Sequence, residues 1–409
     1  MPKKLKILAL SYLFPNRNQP FHGVFVLNRL KALSQYVDIK VINPIPWSPA
    51  HPFLNRYRDN SNIPEQEVIG GLEVYHPRFF SIPRFFKAQE AGSYLRAIAP
   101  LVNALHKEFD FDIVDMHWTF PDLPAGLAIA ERYQKKTMVT LRGMEAFHQQ
   151  DADKRNVIVA QGLQQVDAIV ALSEELKSTG DSFSGKPDKS IVISNGVDTD
   201  SFYYIARENA RKKLGLPIDQ DYRIILGVGA LIHRKGFDLV LDALPALVKK
   251  YPRLKYYILG SEGPEGNYRA ALKAKVVEKN LEKVVVFVGA VENSSLVNWY
   301  NSSDLFCLSS RGEGSPNVLS EALACGCPAV TTDVGSAKKI IERETRLGIC
   351  VEPNSVVALT NGLLTVLRGK HDRSDNAKRY GVYDWTWCAQ LVFPVYQQLV
   401  ATHEPKKEM

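Results

Sequence analysis

No stretch of this 409-residue chain reaches the ~18 uninterrupted apolar residues that a bilayer-spanning helix needs, so any association with a membrane is expected to be peripheral. Lys3, Lys4 and Lys6 ahead of Ile7–Leu10 imitate a leader, but Ser11-Tyr12 interrupts the apolar run and no small-residue cleavage site precedes Pro15, which predicts a first strand instead. Cysteine is scarce. The five residues Cys307, Cys325, Cys327, Cys350 and Cys388 are too few and odd in number for a disulfide framework, and they imply a reducing cytoplasm. Cys325-Gly-Cys327 is too tight for a zinc ribbon and has no second pair, so both are expected to pack. A Gly-x4-Gly-Lys-Ser/Thr loop, an RNA-binding signature and low-complexity tracts are also missing. The net charge of +7 is modest and its lysines and arginines are dispersed, which argues against a nucleic-acid partner and for solubility and attraction to phosphates.

What is present is an alternation. Short apolar runs at Leu5–Leu10, Asp38–Ile42, Ile113–Met116 and Met138–Leu141 are interleaved with helical periods, among them Val24–Ser34 and one beginning near Leu123. The pattern restarts after Phe202 with Ile224–Gly229, Lys255–Leu259, Val284–Phe287, Leu305–Leu308 and Ala329–Thr331. With 45% hydrophobic residues, this predicts an α/β protein of two doubly wound Rossmann-like domains, each with its own core. The turn-rich Asn195-Gly-Val-Asp-Thr-Asp200 supplies the boundary, giving domains over 1–195 and 196–382. Ligands of such sheets bind beyond the carboxyl ends of the strands, so a cleft between the domains is the expected seat of chemistry.

The most informative stretch runs from Arg311 to Pro328. Ser315 is expected to cap a short helix with Pro316 at its first position, and Gly326 with Pro328 to end it. The free amides around Pro316, Asn317 and Val318, next to Gly314, would favour an anion such as phosphate. Asn317 and Glu321, four apart, share the helix face away from the apolar stripe, and a carboxylate suits a vicinal diol. Spacing alone is also compatible with an ordinary capped helix bearing a surface glutamate.

Glu313 and Glu321, with seven residues between them, resemble the Glu-x7-Glu signature of the GT-B glycosyltransferases called glycosyl transferases group 1, which are retaining enzymes. The resemblance extends through Gly227-Val-Gly229 with Lys235-Gly236, Gly260–Pro264, Thr332–Gly335, Asn195–Asp198 and Thr140–Gly143, and is nearest in look to teichuronic-acid and exopolysaccharide biosynthesis enzymes. It implies the GT-B fold, a helix at about 383–402 returning to the first domain, a nucleotide diphosphate sugar donor, a glycan or lipid-linked acceptor and no cofactor. It further implies that Arg234 and Lys235 clamp the donor diphosphate, that Glu313 serves the transferred sugar, and that Gly23, Gly229, Gly314, Ser315, Pro316, Asn317, Val318 and Glu321 line the donor. The usual arginine after Gly229 is here Ala230, and Arg234 is taken as its substitute. His117 matches a position near the transferred sugar and is expected to orient rather than to act as a base. Arg142 or Glu145 would meet sugar hydroxyls.

Three Asp-x-Asp pairs, Asp110/Asp112, Asp151/Asp153 and Asp198/Asp200, fall before a strand, in a helical stretch and in the linker, so turn and cap roles and no metal site are expected. The segment Pro77–Lys87 interleaves two phenylalanine pairs with Arg78, Arg84 and Lys87, which suggests a peripheral membrane contact at the inner face of the cell membrane; inward packing of the rings is the alternative. A non-catalytic sugar-nucleotide or glycan-binding subunit and a nucleotide-sugar epimerase are the rival readings. A dehydrogenase is weaker, because Gly227-Val-Gly229 lacks the third glycine and the later acidic residue.

Overall fold

In the computed structural model, residues 4–48, 60–82, 86–143, 154–186, 189–263, 266 and 268–401 are described. The chain divides into unit 1, Met1–Asn195 with Trp385–Met409, and unit 2, Gly196–Asp384.

Unit 1 runs β1 (Lys6–Leu10), α1 (Val24–Leu33), β2 (Asp38–Ile42), β3 (Ile45–Trp47), β4 (Gln66–Ile69), β5 (Leu72–Tyr75), β6 (Arg78–Phe80), α2 (Glu90–Phe109), β7 (Ile113–Met116), α3 (Asp122–Tyr133), β8 (Lys136–Leu141), α4 (Lys154–Gln165), β9 (Ala168–Ala171), α5 (Glu174–Ser184) and β10 (Ser190–Val192). Its main sheet has the order β10-β9-β8-β7-β1-β2-β5-β4, parallel except where β4 meets β5. A parallel sheet covered on both faces needs apolar residues at successive positions, and β1 supplies them. Leu8 and Leu10 enter one core with α2 and α3, while Ile7 and Ala9 enter the other with α1. β3 and β6 form a separate two-stranded ribbon.

Unit 2 runs α6 (Arg207–Lys213), β11 (Arg223–Val228), α7 (Phe237–Lys250), β12 (Leu254–Leu259), α8 (Arg269–Glu278), β13 (Val285–Gly289), α9 (Asn293–Ser302), β14 (Leu305–Leu308), α10 (Asn317–Ala324), β15 (Ala329–Thr332), α11 (Ala337–Glu342), β16 (Gly348–Val351), α12 (Val356–Arg368) and α13 (Arg373–Gly381). Its sheet order is β13-β12-β11-β14-β15-β16, parallel throughout. The chain leaves β11 toward one edge and returns to β14 on the other side, so loops diverge above the β11–β14 junction and leave room for a ligand. In unit 1 the same reversal falls between β1 and β7.

The last helix, α14 (Trp385–Ala401), lies on unit 1 against α1. It buries Cys388, Val392, Tyr396 and Leu399 in the α1 core, and Phe393 stacks on Tyr36 with ring centroids 5.2 Å apart.

Candidate functional site

The loops leaving β11, β14 and β15 converge at the reversal in unit 2. After β11, Gly229 bonds its amide to the Leu259 carbonyl (2.9 Å), and a 3-10 turn, His233–Lys235, presents two cations. After β14, Ser310 and Glu313 meet them. Lys235 Nζ donates to Glu313 Oε1 (2.6 Å), Ser310 Oγ donates to the same oxygen (2.6 Å), and Arg234 Nη1 lies 3.6 Å from Glu313 Oε2 while donating to the Gly312 carbonyl (3.0 Å). Arg311 fixes the loop to the start of α7 through a two-pronged pair with Asp238 (2.9 and 2.6 Å). After β15, Ser336 donates its amide to the Gly314 carbonyl (3.0 Å). Gly335, at φ 53°, allows this approach, because a Cβ there would lie 2.3 Å from the Glu313 carbonyl oxygen.

The helix behind this loop starts one residue later than its sequence suggests. Pro316, in extended backbone (φ −76°, ψ 94°), is the N-cap, and α10 begins at Asn317. Ser315 does not cap: its Oγ is paired with Ser336 Oγ at 3.2 Å. Gly326 at φ 69° ends the helix. Val318 packs against the unit 2 core, and Asn317 is half-buried at the first turn.

Glu321 is not surface decoration. It is half-buried, accepts a hydrogen bond from Tyr300 Oη (2.8 Å), and burial pushes its carboxyl up to about 7, with the Tyr300 bond opposing. Tyr300, on α9, was missed in the sequence, where a tyrosine 21 residues from its partner carries no signal.

In unit 1 the corresponding reversal is sealed. His117, just beyond β7, is fully buried; its ring lies against Asp115 (Nε2 to Oδ2, 3.1 Å) and Arg142 (Nη2 to Nδ1, 2.8 Å). Arg142 also donates Nε to the His117 carbonyl (3.1 Å) and reaches Asn195 Oδ1 (3.5 Å), and Tyr396 Oη of α14 donates to Asp115 Oδ2 (2.6 Å). Burial holds the imidazole below its ordinary pKa, against the pull of Asp115. The His117 ring is therefore enclosed between Asp115 and Arg142. Gly23 has a packing reason of its own: it opens α1 at φ 71°, and a Cβ there would sit 2.4 Å from the Leu13 carbonyl oxygen.

Asp112 accepts the Lys6 amide and Asp198 the amides of Asp200 and Ser201, while Asp151, Asp153 and Glu145 lie outside the described residues. Among the described residues no group of three or more His, Cys, Asp or Glu is placed to hold a metal, and no helix is long and apolar enough to cross a membrane. In the Pro77–Lys87 segment the cations are engaged: Arg78 donates to the His76 carbonyl (2.7 Å) and to that of Ile63, and Lys87 pairs with Glu90 at 2.5 Å. Phe79 is core, whereas Phe80 and Phe86 are exposed, with Trp47 beside Phe80 across the β3–β6 ribbon. Arg84 and Phe85 lie outside the described residues.

Comparison with known proteins covers both units. Residues 207–382 match the family model "Glycosyl transferases group 1" and residues 23–201 match "Glycosyltransferase Family 4". The chain is 27% identical over 370 residues to a putative teichuronic acid biosynthesis glycosyltransferase, TuaC, of Bacillus subtilis, covering 88% of each protein. It is 25% identical over 315 residues to the phosphatidyl-myo-inositol mannosyltransferase of Mycobacterium tuberculosis, covering 72% of this chain and 75% of that one. Among solved structures, a sucrose-phosphate synthase of Thermosynechococcus elongatus superposes with a TM-score of 0.77 at 20% identity, over 98% of this chain and all of that one. Anabaena HepE in complex with UDP superposes with a TM-score of 0.70 at 18% identity, over 97% and 100%. At these identities the likeness shows the fold, which is GT-B.

Proposed function

Because the chain belongs to the glycosyl transferases group 1 family, we propose that this glycosyltransferase moves a sugar from a nucleotide diphosphate sugar, with retention of configuration, to a polysaccharide or lipid-linked acceptor in cell-surface glycan synthesis. The observation that carries the reading is Glu313 held by Lys235, Arg234 and Ser310 beside the opening of α10, with Glu321 one helical turn further on. Those groups suit the parts of such a donor. The α10 amides and the two cations take the diphosphate, Glu321 takes the ribose hydroxyls, and Glu313, drawn from Lys235, takes hydroxyls of the sugar. Gly229 and Gly314 let the backbone come close, and Ser315, Pro316, Asn317 and Val318 form the floor.

In the transfer, the bond from the anomeric carbon to the diphosphate oxygen breaks while the acceptor hydroxyl attacks the same face. Its proton passes to the departing phosphate oxygen. Negative charge grows on that diphosphate, and Lys235 and Arg234, fixed before the reaction, stabilise it without a metal ion. Unit 1 would supply the acceptor side, and the enclosed His117 would act only by holding Arg142 in the scaffold. The likeness to a teichuronic acid enzyme and to a phosphatidyl-myo-inositol mannosyltransferase supports a cell-surface acceptor, and the exposed Trp47, Phe80 and Phe86 support contact with the inner face of the membrane through rings rather than through Arg78 and Lys87, which are engaged within the protein.

A panel of nucleotide sugars read by thermal shift tests the donor assignment, since a ligand at about 100 times its dissociation constant adds roughly 2.7 kcal/mol. One donor should stabilise the protein and be slowly hydrolysed in EDTA. Stabilisation by none, or hydrolysis restored only by manganese, would reject the donor or the metal-free mechanism respectively.

A further inference from the structure

At the amino ends of β11, β14 and β15 in unit 2, a hollow of about 90 Å3 opens among Arg207, Arg223, Asp304, His371 and Arg373, with Val366 in its apolar wall. It is at the edge of the sheet opposite to Lys235 and Glu313. Arg223 opens β11 and Gly229 follows its end, a separation of roughly 20 Å for a strand of this length.

The charge of this hollow is unbalanced. Asp304, with its side chain 6% exposed, receives Arg207 (2.6 Å), Arg211 (2.8 Å) and Arg223 (3.2 Å), and its Oδ2 also accepts the Ile224 amide (2.7 Å). Both carboxylate oxygens are thus taken. Two of the surrounding arginines are structural: Arg211 is buried and donates to the carbonyls of Ser302, Pro217 and Asp219, while Arg373 donates to those of Tyr300, Asn301, Ser303 and Gly326. Arg207 and Arg223 differ from them. Each gives Asp304 one Nη1, and their side chains remain 36% and 31% exposed. A guanidinium has five N–H donors, so both retain donors beyond that bond.

The carbonyl that would oppose an anion here is already engaged. Val366, in the last turn of α12, has its oxygen bonded by His371 Nε2 (3.0 Å) and by the Gly369 amide (3.1 Å). Surplus positive charge, planar donors in reserve and a hollow of one-ion size describe a receptor for a tetrahedral oxyanion, for which paired guanidinium N–H groups are geometrically suited. We propose that this hollow binds a phosphate-type oxyanion, free or as the end of a phosphomonoester, at a site separate from the one that takes the donor.

Isothermal titration of the full-length protein with inorganic phosphate and, separately, with glycerol 3-phosphate in chloride buffer tests this. Wild type and Lys235→Ala should bind one of the two saturably, and Arg207→Gln/Arg223→Gln should bind it at least tenfold more weakly. Tighter phosphate identifies the free ion; tighter glycerol 3-phosphate identifies a phosphomonoester. Binding lost in Lys235→Ala and kept in the double variant assigns the anion to the donor site and overturns the proposal. Absence of saturable binding, or a response matched by added chloride, overturns it as well. Should the double variant unfold, Arg207→Gln alone makes the same comparison with an expected several-fold loss.

Discussion

The two chain reversals carry similar residue types and treat them in opposite ways. In unit 2, the charges at the carboxyl ends of β11 and β14 are held by a few bonds near the surface, with the Lys235 side chain 17% and that of Arg234 39% exposed. In unit 1, Asp115 within β7 and His117 just beyond it are wholly enclosed, and Arg142, just beyond β8, is nearly so. A charge left near solvent can exchange its partner for a ligand; one sealed inside can only hold the fold, because unpairing it there is too costly. The difference separates groups able to exchange a partner for a ligand from groups that hold the scaffold.

Mutations at the two places should therefore fail differently. The largest effect is expected for Asp115→Ala, which strips His117 and Tyr396 of a buried partner: chemical denaturation should show unit 1 losing about 3–5 kcal/mol. A loss under 1 kcal/mol would erase the distinction drawn between the units. Next, Lys235→Ala should leave the melting temperature within a few degrees and cut turnover about 100-fold, as for one preorganised charge removed. Parental steady-state rates in that variant would sink its role.

A smaller effect sharpens the contrast through pH. The carboxyl of Glu321 sits at about 7 in the folded protein against an ordinary 4.5, so the folded state binds more protons between those values and stability falls as pH rises through that window. Glu321→Gln cannot titrate. It should gain on the parent from pH 5 to pH 7 and hold a lead of about 2 kcal/mol at pH 8. Denaturation curves at the three pH values give the answer, and a constant offset would contradict the buried-acid reading. The weakest effect concerns the membrane. Vesicle binding should drop severalfold in Phe80→Ser/Phe86→Ser and change little in Lys87→Gln or in high salt; the reverse pattern on co-sedimentation would restore a charge-driven contact.

Much of the architecture was legible because parallel strands covered on both faces must be apolar at successive positions, as in Ile7–Leu10 and Ile224–Leu226. The hairpin of β4 and β5 escaped notice although Gly70-Gly71, at φ 59° and 85°, is a two-residue turn signal between its strands. So did α2, whose buried Tyr94, Ile98, Val102, Leu105 and Phe109 recur at helical spacing around an internal proline. At the site, Lys235 and Glu313 were legible as residues, but not the bond between them, which spans 78 positions. The burial of His117 was hidden for a similar reason. Its ring is held by Arg142 and by Asp115, itself bonded by Tyr396 281 positions away, partners brought together only by the fold.

The placement of α14 has a consequence for how the molecule is made. Unit 2 is one continuous run of chain, so every strand of its sheet has left the ribosome before α14 is complete. Unit 1 begins first and finishes last: the α1 face lacks its cover, and Asp115 its tyrosine, until the final helix emerges. Translation thus completes the sheet of the second half while the first half still has an open apolar flank, the kind of transiently exposed surface that favours aggregation.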